Sequence, residues 1–195
     1  MGEYTRGQYL HVGEVSAKKR KIYSLIDKIW STVNLEQAFY AVKRNRGSYG
    51  VDNITIKEYE INLEHNLRVL QQSLKNKSYR TKPVRRVYIP KSDGTKRPLG
   101  IPTVEDRIVQ AAVKRKLEPI FEKKFLPCSY GFRPERSAHM AIEKIRKDLM
   151  DGYTYVIDAD IKTYFDSIPH EKLIAMVKEE VVDGSVLALI EQFLK

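Results

Sequence analysis

From Tyr155 to Asp166 the chain reads Tyr-Val-Ile-Asp-Ala-Asp-Ile-Lys-Thr-Tyr-Phe-Asp, an apolar, β-prone run that ends in alternating acids. Side chains of a strand alternate between its faces, so Asp158 and Asp160 are expected on one face and Ala159 on the other. Carboxylates gathered at a strand end are oxygen donors of the kind a hard cation such as Mg²⁺ takes. If the strand relaxes after Asp160, the backbone carbonyl of Ile161 can join the same coordination sphere. The plainer alternative is an acidic strand end standing in water, where most Asp residues lie.

The surrounding sequence is rich in helical periodicity. Asn34 is expected to cap a helix whose apolar face is Leu35, Ala38, Phe39 and Val42, ending at Arg46-Gly47 before a turn over 48–52. A longer helix is expected from Ile56 to Lys75, with Tyr59, Leu63, Leu67 and Leu70 as its buried stripe. Val84–Pro90 and the run through Leu99-Gly100-Ile101 flank Ser92-Asp93-Gly94-Thr95, the pattern of a β-hairpin with an exposed basic tip. Thr103 then opens a helix, reaching toward Asp106 in an approximate capping box, with Ile108, Ala112, Leu117, Ile120 and Phe121 facing inward. After a loop over 127–134, Ser137 caps a helix stopped at Gly152, with Ala141, Ile142, Ile145 and Leu149 turned to the core. A strand over Tyr153–Asp158 and helices over 170–181 and 186–194, separated by Asp183-Gly184, complete the pattern. Helix and strand alternate without internal repeat, so the expected class is one α+β body.

Charge narrows the partners. The chain has 35 Lys and Arg against 25 Asp and Glu, a net charge of +10. Residues 1–100 carry +11 and residues 101–195 carry −1, so the basic surface belongs to the first half. Such a field favours polyanions, chiefly nucleic acid, with salt-dependent affinity. Lys18, Lys19, Arg20 and Lys21 precede Ile22, Leu25, Ile26 and Ile29 at helical spacing, so residues 1–32 read as a basic arm running into a short helix. No run approaches the roughly 18 apolar residues of a membrane helix. The single cysteine, Cys128, has no intrachain disulfide partner. A soluble, cytoplasmic protein without membrane contact is expected. His139 and His170 lack partners at metal-ligand spacing and are read as structural.

Four motifs together carry a family resemblance. Asp160 to Asp166 (Asp-Ile-Lys-Thr-Tyr-Phe-Asp) resembles the first catalytic motif of reverse transcriptases in the form found in group II intron-encoded proteins. Ile89-Pro90-Lys91 with Lys96-Arg97-Pro98-Leu99-Gly100-Ile101-Pro102 resembles the family's fingers hairpin. Ser129-Tyr130-Gly131-Phe132-Arg133-Pro134, followed by Ser137-Ala138-His139, resembles the next block, and Gly47 to Asp52 resembles the N-terminal block. The similarity runs from about Asn34 to the C-terminus.

The resemblance implies an α+β right-hand polymerase: a fingers subdomain over 33–152 and the beginning of a palm over 153–195. It implies that Asp160 is the catalytic carboxylate bridging two Mg²⁺ ions, with the Ile161 carbonyl as a further ligand and Asp158 in support. Phe165 would lie beneath the incoming sugar and select deoxynucleotides by shape, with Tyr164 in packing. Lys91 and Arg97 would fold over the triphosphate, Arg97 as a bidentate fork and Lys91 as a point charge. Gly131, Phe132 and Arg133 would lie along the template, and the basic arm at Lys18–Lys21 would grip RNA. Expected partners are intron RNA, template RNA, a DNA primer and deoxynucleotide triphosphates, with a homodimer through exposed apolar surface.

The sequence departs from the family at one decisive point. Group II intron reverse transcriptases complete the metal site with an aromatic-x-Asp-Asp turn, and no Asp-Asp pair occurs in these 195 residues. These residues alone are therefore expected not to polymerise. The C-terminal run ends in a helical pattern with no Gly or Pro stop, as a truncated chain would. Two other readings stand beside this one: a non-catalytic RNA-binding module, and a reverse transcriptase of a retron or defence system.

Overall fold

The computed structural model describes residues 24–195 except Asp93 and Lys162. Lys18, Lys19, Arg20 and Lys21 therefore lie outside the described residues. Helices dominate, in the order α1 (Ile26–Ile29), α2 (Thr32–Arg44), α3 (Ile56–Ile61), α4 (Leu63–Lys75), α5 (Val104–Phe121), α6 (Ala138–Met150), α7 (Tyr164–Ser167), α8 (His170–Lys178) and α9 (Gly184–Phe193). Strands β1 (Arg85–Pro90) and β2 (Lys96–Ile101) lie between α4 and α5 and pair antiparallel as the one sheet among the described residues. Both strands of such a ribbon are edges, which is why Pro90 and Pro98 are tolerated within it.

The core forms where α1, α2, α4, α5 and α9 meet. Phe39, Leu35 and Ala38 of α2 pack with Ile108, Val109 and Ala112 of α5, all fully buried. Leu67, Leu70 and Leu74 close one side and Val186 and Leu189 another. The ring of Tyr59 stacks on Phe39 at 6.1 Å.

The helix starting at Thr32 is capped by Ser31, not by Asn34 as the sequence suggests. The Ser31 hydroxyl accepts the Asn34 N–H at 3.3 Å. Asn34 is buried, and its side-chain amide donates to the carbonyls of Ile29 and Ala112, tying α1 and α5 together. The expected single helix over 56–75 is two. Asn62 leaves helical geometry (φ −117°, ψ 39°), and the Asn66 side chain takes the Tyr59 carbonyl at 2.9 Å. Thr55 starts the first piece with a complete capping box to Glu58.

The hairpin, the helix from Thr103 and the Ser137 cap stand as the sequence predicts. At Thr103 the hydroxyl accepts the Asp106 N–H at 3.1 Å but donates to the Asp106 carboxylate at 2.7 Å, so the box is not reciprocal through the backbone. The helix expected over 170–181 ends at Lys178, and the last helix begins at Gly184 behind its Asp183 cap.

Two expectations fail together. Tyr153–Asp158 forms no strand, and Ile142, Ile145 and Leu149 of α6 are exposed rather than inward. A strand is stable only when its N–H and C=O groups find a partner, and no described strand lies beside this segment. The apolar pattern is therefore real, but the described residues do not cover it.

Candidate nucleotide and nucleic-acid site

The hairpin is anchored at its base. Arg85 stacks on Tyr49 at 4.4 Å, donates to the Tyr49 carbonyl at 3.0 Å and reaches the Ser48 hydroxyl at 2.9 Å. Arg107 of α5 donates to the Ser48 carbonyl at 2.7 Å. The turn over 48–52 is thus a clamp between hairpin and α5. Gly50 makes this possible: a Cβ there would lie 2.7 Å from the Thr103 backbone.

Register decides which cations act together. Ile89 pairs with Arg97 and Val87 with Leu99, so Arg85, Val87, Ile89, Arg97 and Leu99 share one face. Pairing continues past the strand end, where the Lys91 N–H donates to the Thr95 carbonyl at 2.8 Å. Lys91 falls in register with that same face, diagonal to Arg97. Neither side chain has an ion-pair partner among the described residues.

Beneath the hairpin lies a buried polar knot, only part of which was legible from residue spacing. Asp106 accepts from the Tyr79 hydroxyl at 2.6 Å, the Thr103 hydroxyl at 2.7 Å and the Lys82 N–H at 3.3 Å. Burial, then the bond to Asp106, pushes the Tyr79 phenol well above its ordinary range, so it remains a donor. Burial likewise raises Glu105, partly offset by Lys82. The cap signal Thr-x-x-Asp was legible; the distant tyrosine was not.

In the loop after α5, Arg133 is turned inward. Its guanidinium donates to Glu122 at 2.7 Å and to the carbonyls of Leu126 and Ser129, both at 2.8 Å, and packs over Phe125. The neighbouring Phe132 lies in the left-handed region (φ 56°) and is 99% exposed. Space around Gly131 is open. A bulky residue in the left-handed region is uncommon and carries backbone strain.

Asp158, Asp160, Ile161 and Phe165 lie on the unpaired segment and α7, all exposed. The Phe165 ring meets Tyr164 edge-on at 5.3 Å. No hydrogen bond, ion pair or ring contact joins these residues to Lys91, Arg97 or Phe132 among the described residues. The oxygen donors of Asp160 and Ile161 suit Mg²⁺ in kind. In number they fall short of a complete pair of ion sites: no group of three or more acidic, His or Cys side chains gathers among the described residues. No described helix is long and apolar enough to cross a membrane.

Comparison with known proteins agrees with the motifs. A family model described as reverse transcriptase (RNA-dependent DNA polymerase) matches residues 89–195. Protein YkfC of Escherichia coli (strain K12) is 38% identical over 181 residues, covering 90% of this chain and 48% of its own length. The group II intron-encoded protein LtrA of Lactococcus lactis subsp. cremoris is 42% identical over 133 residues, covering 68% of this chain and 22% of its own length. Nuclear intron maturase 1, mitochondrial, of Arabidopsis thaliana is 35% identical over 94 residues, 48% of this chain and 13% of its own length. The chain thus spans less than half the length of each of these relatives. With the hairpin, the Phe132 loop and the Asp160 motif in family order, the chain belongs to the reverse transcriptases, in the group II intron-encoded reverse transcriptase/maturase group.

Proposed function

We propose that this chain forms the fingers (33–152) and the start of the palm (153–195) of an RNA-directed DNA polymerase that also binds intron RNA. The observation that carries this reading is the placement of Lys91 and Arg97 on one hairpin face, with no acidic partner for either among the described residues. Two cations there can bind a triphosphate and neutralise charge developing on the leaving pyrophosphate. Arg97 offers a fork to two phosphate oxygens and Lys91 a movable point charge.

Asp160 would hold Mg²⁺ together with the Ile161 carbonyl and substrate phosphates, and Phe165 would set the sugar's position. When bound, a pair of such ions supplies activation of the primer 3′-hydroxyl and neutralisation of the triphosphate. Phe132 would lie against the template, presented by a loop that Arg133 fastens. The arm at Lys18–Lys21 would add phosphate contacts and steepen the salt dependence.

These residues alone would not extend a primer, because one carboxylate of the expected set cannot hold two ions. Calorimetric titration of a deoxynucleotide triphosphate with Mg²⁺ tests the nucleotide site. Binding that disappears in Lys91→Ala plus Arg97→Ala supports the reading, and primer extension by the 195-residue chain would refute the inactivity. The exposed apolar face of α6 supports self-association, and a clean monomer in sedimentation at high concentration would refute it.

The second reading is a non-catalytic RNA-binding module, which the +10 charge favours. RNA binding with no response to triphosphate would select it. A retron or defence-type reverse transcriptase shares the nucleotide chemistry and differs in its RNA: preference for a retron RNA over intron RNA would identify it.

A further inference from the structure

The hairpin has a second face that the triphosphate reading leaves unused. In the register of β1 and β2, Arg86 lies opposite Gly100, Tyr88 opposite Pro98 and Pro90 opposite Lys96. Those six residues share the face opposite to Arg97. At the hairpin base Arg85 and Val87 are half-buried while Arg86 and Tyr88 are exposed, so this second face looks away from the body. Tyr88 stands near its middle, 63% exposed. Arg86 lies about 7 Å along the strand axis in one direction and Lys96 about 7 Å in the other. Neither cation has an ion-pair partner among the described residues. Pro90 and Pro98 stiffen the backbone around the ring.

A flat aromatic between two exposed cations, on a rigid ribbon, is what an unpaired nucleic-acid strand needs: a surface for one base and charges for its phosphates. A folded RNA helix keeps its bases stacked inside and offers none to such a ring. We propose that this face binds single-stranded RNA, one base stacking on Tyr88 with Arg86 and Lys96 on the flanking phosphates. The hairpin would then have two faces with separate tasks, triphosphate on the side of Arg97 and unpaired strand on the side of Tyr88. This rests on the nucleic-acid reading above and deepens it.

The test uses the 195-residue chain and an unstructured RNA carrying 2-aminopurine in place of adenine, whose fluorescence falls when the base stacks. Wild type is expected to bind and quench. Tyr88→Ala should bind at least about 5-fold more weakly and lose the quenching, while Tyr88→Phe keeps both. Arg86→Ala plus Lys96→Ala should lower the slope of log affinity against log salt by about 1.4. Lys91→Ala plus Arg97→Ala should leave the quenching in place while losing triphosphate binding. Unchanged thermal melting of each variant certifies the fold, since these side chains are exposed. Wild-type affinity and quenching in Tyr88→Ala would overturn the inference and leave the RNA reading standing. Absence of RNA binding by wild type would overturn both, and tighter binding of an acidic peptide to this face would replace RNA with a protein partner.

Discussion

The carboxylate of Asp183 accepts the backbone N–H of Leu25 at 2.8 Å, joining positions 158 residues apart. The same oxygen accepts the Ile26 N–H, and the other oxygen accepts those of Ser185 and Val186. One side chain therefore caps α1 and α9 at once and locks the last helix to the first described one.

That arrangement sets an acid limit on stability. Burial pushes the Asp183 carboxyl up, but its four backbone donors outweigh burial and hold it below the usual carboxylate range. The bonds contribute fully above the unfolded value, about pH 4, and their contribution is lost as pH falls through the lower folded value. Asp183→Ala should lower stability by about 2 kcal/mol at neutral pH. Urea unfolding at neutral and acidic pH measures this, and the difference between wild type and variant should shrink in acid.

Tyr79→Phe removes one of the donors to the buried Asp106 carboxylate and leaves its volume filled. A loss of about 1–3 kcal/mol is expected, read by thermal or denaturant unfolding. A neutral result would mean that solvent reaches Asp106.

Gly50→Ala places a Cβ against the Thr103 backbone, which belongs to the buried cap of α5 and cannot swing aside. Destabilisation of about 1–3 kcal/mol is expected, with faster amide exchange in the hairpin that the clamp anchors. Gly47→Ala meets the guanidinium of Arg107, which can move, and should cost less.

In the Phe132 loop, stability and binding should separate. Phe132→Gly relieves the left-handed strain and should unfold no more easily than wild type, while RNA affinity falls. Arg133→Lys cannot reproduce the fork to Glu122 with its two carbonyl bonds. It should loosen the loop in hydrogen exchange and weaken RNA binding, though the guanidinium faces inward.

Helix positions were legible because their apolar residues repeat at the helical period, as in Leu35, Ala38, Phe39 and Val42. The hairpin was legible because turn residues separate two extended runs. Asn34 misled because an amide that can cap a helix can equally bridge two others, and the choice depends on where Ile29 and Ala112 sit. Tyr153–Asp158 misled because strand propensity describes a segment, whereas a strand requires a partner.

Sequence by itself determined the family, the charge asymmetry and the local elements, since these follow from residue identity and spacing along the chain. Tertiary structure alone decided that Lys91 and Arg97 share a face opposite Tyr88, that Arg133 turns inward, and that Asp183 holds both ends of the core. Those outcomes depend on register and on hydrogen-bond partners far away in sequence, and neither periodicity nor propensity carries that information.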